Sequence, residues 1–210
     1  MIQVKICGLT EEEAVDAALE AGADYLGVVF FEKSPRHVSI ERAAEILELV
    51  PEEVGRVGLF VDPDDALLDE KLATGALDLL QLHGAETAVR VAAIKQRTGK
   101  PVMKVIKVTT ADDVERGVAA YAAVADRLMF DAAEGVLPGG NATPFDWTIL
   151  SSRKISLPWM LAGGLTPDNL AEAVRVTGAR TVDVSSGVES SRGVKSVELI
   201  RAFLKKAASL

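Results

Sequence analysis

Short apolar runs alternate along the chain with longer segments in which apolar residues recur every three or four positions. The short runs are rich in Val, Leu and Ile, as in buried strands, whereas the longer spacing is typical of helices with one apolar face. Eight strands are predicted, at residues 2–7, 25–30, 57–61, 77–82, 102–106, 128–131, 159–162 and 181–184. The predicted helices lie at residues 10–21, 39–49, 63–73, 87–98, 111–123, 167–177 and 195–207, with a short helical piece at 146–150.

The unbroken alternation of strand and helix predicts an α/β protein with a parallel sheet. Eight such units are typical of a closed (β/α)8 barrel, the TIM barrel, here as a single domain over residues 1–210. An open doubly wound sheet is the alternative, but it more often carries a glycine-rich dinucleotide turn after the first strand. The segment CGLT at 7–10 is not such a turn. We therefore look for chemistry at the carboxyl ends of the strands, where barrels of this kind carry it.

Residues at the helix ends support these boundaries. Thr10 stands three residues before Glu13, which predicts a capping box, and Ser39 is predicted to cap the second helix. Thr166 precedes Pro167, which is favourable as the first residue of a helix. Glycines that favour a left-handed backbone follow four helices, at Gly22, Gly75, Gly99 and Gly178.

Composition narrows the classes of partner and cofactor. The net charge of −8 argues against nucleic acid, and no apolar run is long enough to span a bilayer. The amino terminus lacks signal-peptide features and the single cysteine excludes an internal disulfide, so a cytoplasmic protein is expected. The two histidines and one cysteine form no ligand cluster, so we do not expect a zinc site. A monomer and a homodimer both remain open.

Two glycine-containing turns follow the seventh and eighth predicted strands. Gly163 and Gly164 follow the seventh strand, and Ser186 and Gly187 follow the eighth. Glycine lets backbone N–H groups approach an anion, and a short helix beginning at Ser186 would point its positive end there. The alternative is two tight turns that need glycine for geometry alone. Because barrels often bind phosphate between these two loops, we predict a phosphate site.

A thiol and a carboxyl end two strands that would face one barrel mouth. Cys7 ends the first strand; it is either a small buried apolar residue or a base, since a free thiol has a pKa of about 8.5. Asp131 ends the sixth strand after three apolar residues; it either caps the next loop or, being desolvated, donates a proton. An acid and a base across one mouth indicate proton transfer on a substrate.

Three further side chains are candidates for substrate binding. Arg36 follows the second strand and could hold a carboxylate through two hydrogen bonds, although a solvated surface charge is the alternative. His83 follows the fourth strand and either lines the pocket or satisfies a loop carbonyl. Asp183 in the eighth strand would contact substrate or pair with Lys5, which lies two residues before Cys7 on the same face of its strand.

Motifs from the first strand to the last together resemble the phosphoribosylanthranilate isomerase family. They are KICGLT at 5–10, FEKSPR at 31–36, VGLFV at 57–61, QLHG at 81–84, FDW at 145–147, AGGL at 162–165 and VDVSSGVE at 182–189. The resemblance implies a barrel that catalyses the Amadori rearrangement of N-(5-phosphoribosyl)anthranilate in tryptophan biosynthesis, by proton transfer and without a cofactor.

The resemblance also implies roles for individual residues. Asp131 would be the general acid that opens the ribose ring, and Cys7, as thiolate, the base that removes the C2 proton. Arg36 would bind the anthranilate carboxylate, and the backbones at 163–164 and 186–187 the phosphate. The segment NATP at 141–144 departs from the family, which usually has Ser or Thr, Gly and often Lys there. We therefore expect a stiffer loop at 132–144, itself a candidate lid, and one phosphate contact fewer.

Two other functions compete with this interpretation. The related histidine-pathway aminoaldose isomerase, or a barrel with both activities, would be expected to carry Asp at the end of the first strand, where this chain has Cys7. A non-catalytic phosphosugar-binding barrel would keep the glycine turns without needing Cys7, Asp131 and Arg36 together. Turnover distinguishes the last alternative from an enzyme.

Overall fold

The computed structural model describes residues 1–73, 75–132, 146–151 and 153–210. Eight parallel strands close into a barrel in chain order, with the eighth strand paired to the first. The predicted TIM-barrel fold class is therefore confirmed. The barrel strands are β1 (Gln3–Cys7), β2 (Tyr25–Phe30), β3 (Gly55–Phe60), β4 (Leu79–Leu82), β5 (Val102–Val108), β6 (Arg127–Ala132), β7 (Trp159–Leu161) and β8 (Thr181–Val184).

Helices follow the strands and pack outside them. Among the described residues they are α1 (Glu12–Glu20), α2 (Ile40–Glu48), α3 (Asp65–Leu72), α4 (Ala88–Thr98), α5 (Ala111–Tyr121), α6 (Leu170–Thr177) and α7 (Val197–Ala208). Short 3-10 helices occupy Trp147–Leu150 and Ser186–Val188. A small antiparallel hairpin of β9 (Glu189–Ser191) and β10 (Val194–Lys195) precedes α7. The sequence analysis missed this hairpin and placed Lys195 at the start of the last helix.

Two buried layers hold the barrel together. The larger lies between strands and helices and contains Phe60, Phe130 and Phe203. The smaller consists of alternate strand residues, Val57, Leu79, Met103, Val105, Met129, Met160 and Ala162. Alternate residues of a strand share one face, so this second set fills the barrel interior below the mouth. This part of the interior is thus packed, and the cavity described below lies above it, at the carboxyl ends of the strands.

The predicted helix ends are partly confirmed. Oγ of Ser39 accepts a hydrogen bond from the backbone N of Arg42 at 3.1 Å, as predicted. The Thr10 capping box is wrong, because α1 begins at Glu12 after Glu11 and has no side-chain cap. The carbonyl of Thr10 instead accepts from Nε of Arg42 at 3.0 Å. The predicted glycines adopt left-handed backbones, with φ of 85° at Gly22, 69° at Gly75, 64° at Gly99 and 70° at Gly178.

The start of α6 differs from the prediction for a local reason. Thr166 and Asn169 hydrogen-bond to each other, from backbone N to side-chain oxygen in both directions, at 2.8 and 3.3 Å. This turn takes the place of the first helical turn, so the helix begins at Leu170 rather than at Pro167. The predicted lid, the NATP departure and Phe145 lie outside the described residues, apart from Ala132, which ends β6.

Candidate active site

One cavity at the carboxyl ends of the strands collects every residue predicted for the site. It is lined by Cys7, Arg36, His83, Asp131, Gly163, Gly164, Asp183, Ser186 and Gly187. These residues come from six different strand ends or the loops after them, as expected for a barrel. The sequence analysis did not assign Gln81 and Ser185, which also line the cavity.

Cys7 ends β1 and is almost fully buried, with 4% of its surface exposed. Burial raises the pKa of its thiol, and the positive charge of Lys5 opposes that rise. Gly8 has a left-handed φ of 76°, and a β-carbon there would lie 2.5 Å from Cδ of Arg36. Glycine is therefore required directly after the thiol, both for the turn and for the close approach of Arg36.

A buried ion pair lies beneath the thiol. Nζ of Lys5 lies 2.7 Å from Oδ1 of Asp183, and the Lys5 side chain is completely buried. Burial opposes the charge on Lys5, but the negative charge of Asp183 and the adjacent thiol hold its pKa above the ordinary value. The predicted pairing of Asp183 with Lys5 is confirmed, and Asp183 also lines the cavity. Asp183 thus borders the cavity while it stays paired with Lys5.

Asp131 of β6 is held by a chain of polar side chains. Its Oδ2 lies 3.1 Å from Nε2 of His83, and Nδ1 of His83 lies 3.3 Å from Nε2 of Gln81. Because the Gln81 amide nitrogen is a donor, Nδ1 accepts and Nε2 carries the ring proton toward Asp131. His83 therefore contacts the carboxyl and not a loop carbonyl. Gln81 lies two residues before His83, and this spacing was the signal that could have revealed it.

Arg36 is buried and paired with Glu189, so the alternative of a solvated surface charge is wrong. Its Nε and Nη2 donate to the two carboxylate oxygens of Glu189 at 2.6 and 2.8 Å. Although burial alone would raise the pKa of Glu189, Arg36 and Lys195 lower it to about 2. Nη1 of Arg36 has no hydrogen-bond partner within the described part of the chain. The guanidinium is thus fixed in direction beside the cavity with donors to spare.

Lys195 joins the same cluster from β10. Its Nζ lies 2.8 Å from Oε1 of Glu189, 3.0 Å from the carbonyl of Ser185 and 3.2 Å from Oγ of Ser185. Oγ of Ser185 in turn donates to the carbonyl of Cys7 at 3.0 Å. Burial lowers the pKa of Lys195, and Glu189 opposes that change. The hairpin therefore contacts both the arginine and the end of the thiol-bearing strand.

The two glycine loops meet at one side of the cavity. Gly163 and Gly164 have left-handed φ values of 86° and 67°, and a β-carbon at Gly187 would collide with the carbonyl of Leu165. Nδ2 of Asn169 donates to the carbonyl of Gly164 at 2.8 Å, which fixes the first loop. Among the described residues, the backbone N–H groups of Gly164 and Gly187 have no acceptor. They are available to an anion beside the 3-10 helix that begins at Ser186.

A closed parallel barrel with a thiol, a carboxyl and an arginine around one cavity defines an enzyme of the (β/α)8-barrel class. Residues 4–206 match the family model for N-(5'phosphoribosyl)anthranilate (PRA) isomerase, and the chain belongs to this family. The predicted isomerase of tryptophan biosynthesis is therefore confirmed.

Individual relatives agree with the family assignment. The N-(5'-phosphoribosyl)anthranilate isomerase of Paramagnetospirillum magneticum is 60% identical over 209 residues, which cover 98% of this chain and 97% of that protein. The crystal structure of phosphoribosyl anthranilate isomerase from Thermotoga maritima has a TM-score of 0.90, 34% identity and full coverage of both chains. A crystal structure of the isomerase in complex with reduced 1-(o-carboxyphenylamino)-1-deoxyribulose 5-phosphate has a TM-score of 0.87, 35% identity and full coverage of both chains.

Proposed function

We propose that Cys7 and Asp131 divide between them the proton transfers of this chain's reaction. That reaction is the Amadori rearrangement of N-(5-phosphoribosyl)anthranilate to 1-(2-carboxyphenylamino)-1-deoxyribulose 5-phosphate. The observation that carries the proposal is that the thiol of β1 and the carboxyl of β6 line the same cavity, with β7 and β8 between their strands. A substrate in that cavity meets an acid and a base on different sides.

Asp131 acts first, as the general acid. The substrate nitrogen expels the ribose ring oxygen while Asp131 donates a proton to that oxygen, which leaves an open-chain Schiff base. The hydrogen bond from His83 occupies Oδ2 of Asp131, so Oδ1 is the oxygen left for the substrate. The hydrogen bond from Nε2 of His83 orients the carboxyl toward the cavity.

Cys7 acts second, as the general base. Its thiolate removes the proton from C2 of the protonated Schiff base, which gives a neutral enolamine. The enolamine then gains a proton at C1 and loses the proton of its C2 hydroxyl, which gives the ketone. The two protons that leave, from C2 and its hydroxyl, balance the two that arrive, at the ring oxygen and C1, and exchange with solvent restores the thiolate of Cys7 and the acid form of Asp131. Burial disfavours the thiolate, so the cation of Lys5 supplies the main opposing charge. The Lys5–Asp183 pair keeps that cation in place as the thiol loses its proton.

Two anchors hold the ends of the substrate. Arg36 binds the anthranilate carboxylate through the donors that Glu189 leaves unoccupied. The backbone N–H groups around Gly163, Gly164, Ser186 and Gly187 bind the phosphate. The sugar carbons then lie between the anchors, opposite Cys7 and Asp131. Both proton transfers therefore take place within a single enzyme–substrate complex.

Substitution of the two proton-transfer residues tests this proposal. We expect Cys7→Ala and Asp131→Asn each to lower kcat on the order of 10²–10⁴-fold, the usual contribution of a general acid or base. Loss of the substrate's anthranilate fluorescence measures turnover. Asp16→Asn on the exposed face of α1 is the matched control, with unchanged turnover expected. Near-native turnover in either site variant would remove that residue from the mechanism.

Other properties stay proposals. We expect residues 1–210 to form one domain and the protein to act in the cytoplasm, as a monomer or a homodimer, which light scattering distinguishes. Within the described segments, no helix has both the length and the apolar character needed to cross a membrane. In the same segments, no group of three His, Cys, Asp or Glu side chains is placed to hold a metal ion.

A further inference from the structure

We infer that Glu189 and Lys195 are positioning residues that make the site selective for an arylamine carrying a carboxylate. The inference rests on the proposed role of Arg36 as the carboxylate anchor. Neither Glu189 nor Lys195 lines the cavity; both act through the residues that do.

Glu189 fixes the direction of the Arg36 guanidinium. Its two oxygens occupy Nε and Nη2, so the planar group cannot rotate without breaking both hydrogen bonds. The aliphatic stem of Arg36 is held at the other end, because its Cβ, Cγ and Cδ lie against Gly8. With stem and head both fixed, the remaining donors keep one orientation before a substrate arrives. An anchor oriented in advance loses less entropy when it binds.

The charges of the cluster favour an anion. Two buried cations, Arg36 and Lys195, share the single carboxylate of Glu189. Neither cation pairs with another carboxylate within the described part of the chain. The cluster therefore carries a surplus positive charge in a poorly solvated place, and a buried charge is stabilised by a partner. A substrate carboxylate on Arg36 would supply that partner.

The hairpin that carries the two residues is built against the same loops. The backbone N of Gly193, at the turn between β9 and β10, donates to Oε2 of Glu189 at 3.0 Å. A β-carbon on Gly193 would lie 2.9 Å from the carbonyl of Pro35, the residue before Arg36. Lys195 contacts Ser185, which donates to the carbonyl of Cys7. The hairpin thus fixes the position of the loop that carries Arg36 relative to the carboxyl end of β1.

Selectivity distinguishes a residue that positions Arg36 from one that only supports the fold. Loss of a positioning residue weakens binding of the carboxylated ligand most, whereas loss of a supporting residue weakens both ligands equally. The probes are two reduced arylamino-deoxyribulose phosphates, one with the ortho-carboxylate and one with an unsubstituted aniline ring. Isothermal titration calorimetry gives the ratio of their dissociation constants. We expect Glu189→Gln to reduce the wild-type preference for the carboxylated probe roughly 10-fold, because the charged acceptor that fixes the direction of the Arg36 guanidinium is lost. The substitution also raises the positive charge of the cluster, so a reduced preference reports the lost orientation of Arg36 and not a lost charge. KM should rise more than kcat falls.

Three comparison variants make each outcome decisive. Glu198→Gln, in the exposed first turn of α7, should keep the wild-type ratio. Arg36→Met should abolish the preference; if it does not, the proposed role of Arg36 fails. If Arg36→Met loses the preference and Glu189→Gln keeps it, or weakens both probes equally, the inference about Glu189 is overturned. If Glu189→Gln does not fold, Lys195→Met takes its place and must lower the ratio in the same direction.

Discussion

The two sides of the cavity differ in the charges that surround Cys7 and Asp131, as the proposed roles of these two residues require. The base wall, which we define as Lys5, Cys7 and Asp183, is built from charges, with a buried ion pair under the thiol. The acid wall, which we define as Gln81, His83 and Asp131, contains no lysine or arginine, and its amide and imidazole hydrogen-bond in series to the carboxyl. In the proposed roles, the thiol must become an anion to act, so a lysine beside it helps. The carboxyl must hold a proton to act, so a wall without a lysine or arginine suits it.

The largest effect is expected when the charge of the base wall is removed. Lys5→Met leaves Asp183 buried without its partner, and breaking such a pair costs about 3–5 kcal/mol of unfolding free energy. Burial already raises the pKa of Cys7, and Lys5 is the main charge that opposes this. Loss of Lys5 raises that pKa further, so the thiolate forms at higher pH. The rising limb of kcat should therefore move to higher pH in a pH–rate profile.

A second substitution distinguishes the effect of Lys5 on the free energy of unfolding from its effect on the pKa of Cys7. Lys5→Met combined with Asp183→Asn removes both charges, so chemical denaturation should show part of the lost stability restored. The limb of the profile should lie between those of Lys5→Met and the wild type, because the cation is still missing but the charge of Asp183, which also raises the pKa of Cys7, is gone. A Lys5→Met profile that matches the wild type would show that the base wall does not depend on its cation.

A smaller effect is expected at the acid wall. His83→Leu removes the donor to Oδ2 of Asp131, a hydrogen bond that strengthens as the carboxyl gives up its proton and becomes charged. A hydrogen bond to a charged group contributes about 1.5–3 kcal/mol, which corresponds to a loss in kcat of about 10–100-fold. The rising limb should not move, since the thiol keeps its surroundings. His83→Gln retains a donor and should recover part of the rate. A shift of the limb in His83→Leu would contradict the separation of the two walls.

The repeating pattern of the chain was sufficient to predict the barrel. Strands such as β2 were predicted to the residue because apolar side chains and ladder hydrogen bonds coincide there. The fourth strand was predicted to begin at Leu77, which is buried against Gly58, but the β4 ladder begins at Leu79. Here the run of apolar residues begins before the first residue that pairs in the sheet. Apolar residues therefore predict burial better than they predict where a strand begins or ends.

The placement of the site residues was predictable where they lie on barrel strands, and not where residues of distant loops meet. Cys7 and Asp131 end strands, so the barrel itself places them. Arg36 and Glu189 are 153 residues apart, and no local pattern indicates that they pair. The sequence does not indicate the hairpin at Glu189 either, because its strands are short, partly exposed and polar. The contacts of Glu189 and Lys195 thus required the structure, whereas the Lys5–Asp183 pair, which lies on two strands, was predictable from the sequence.

The most direct test of the division between acid and base is a crystal structure of this protein with the reduced product analogue bound. We expect Sγ of Cys7 within about 3.5 Å of C2 of the analogue, close enough for proton transfer. We expect a carboxylate oxygen of Asp131 within hydrogen-bonding distance, about 2.6–3.2 Å, of the oxygen that closes the ribose ring. Cys7 directed away from C2, or Asp131 and Cys7 on the same atom of the sugar, would rule out the proposed division of roles.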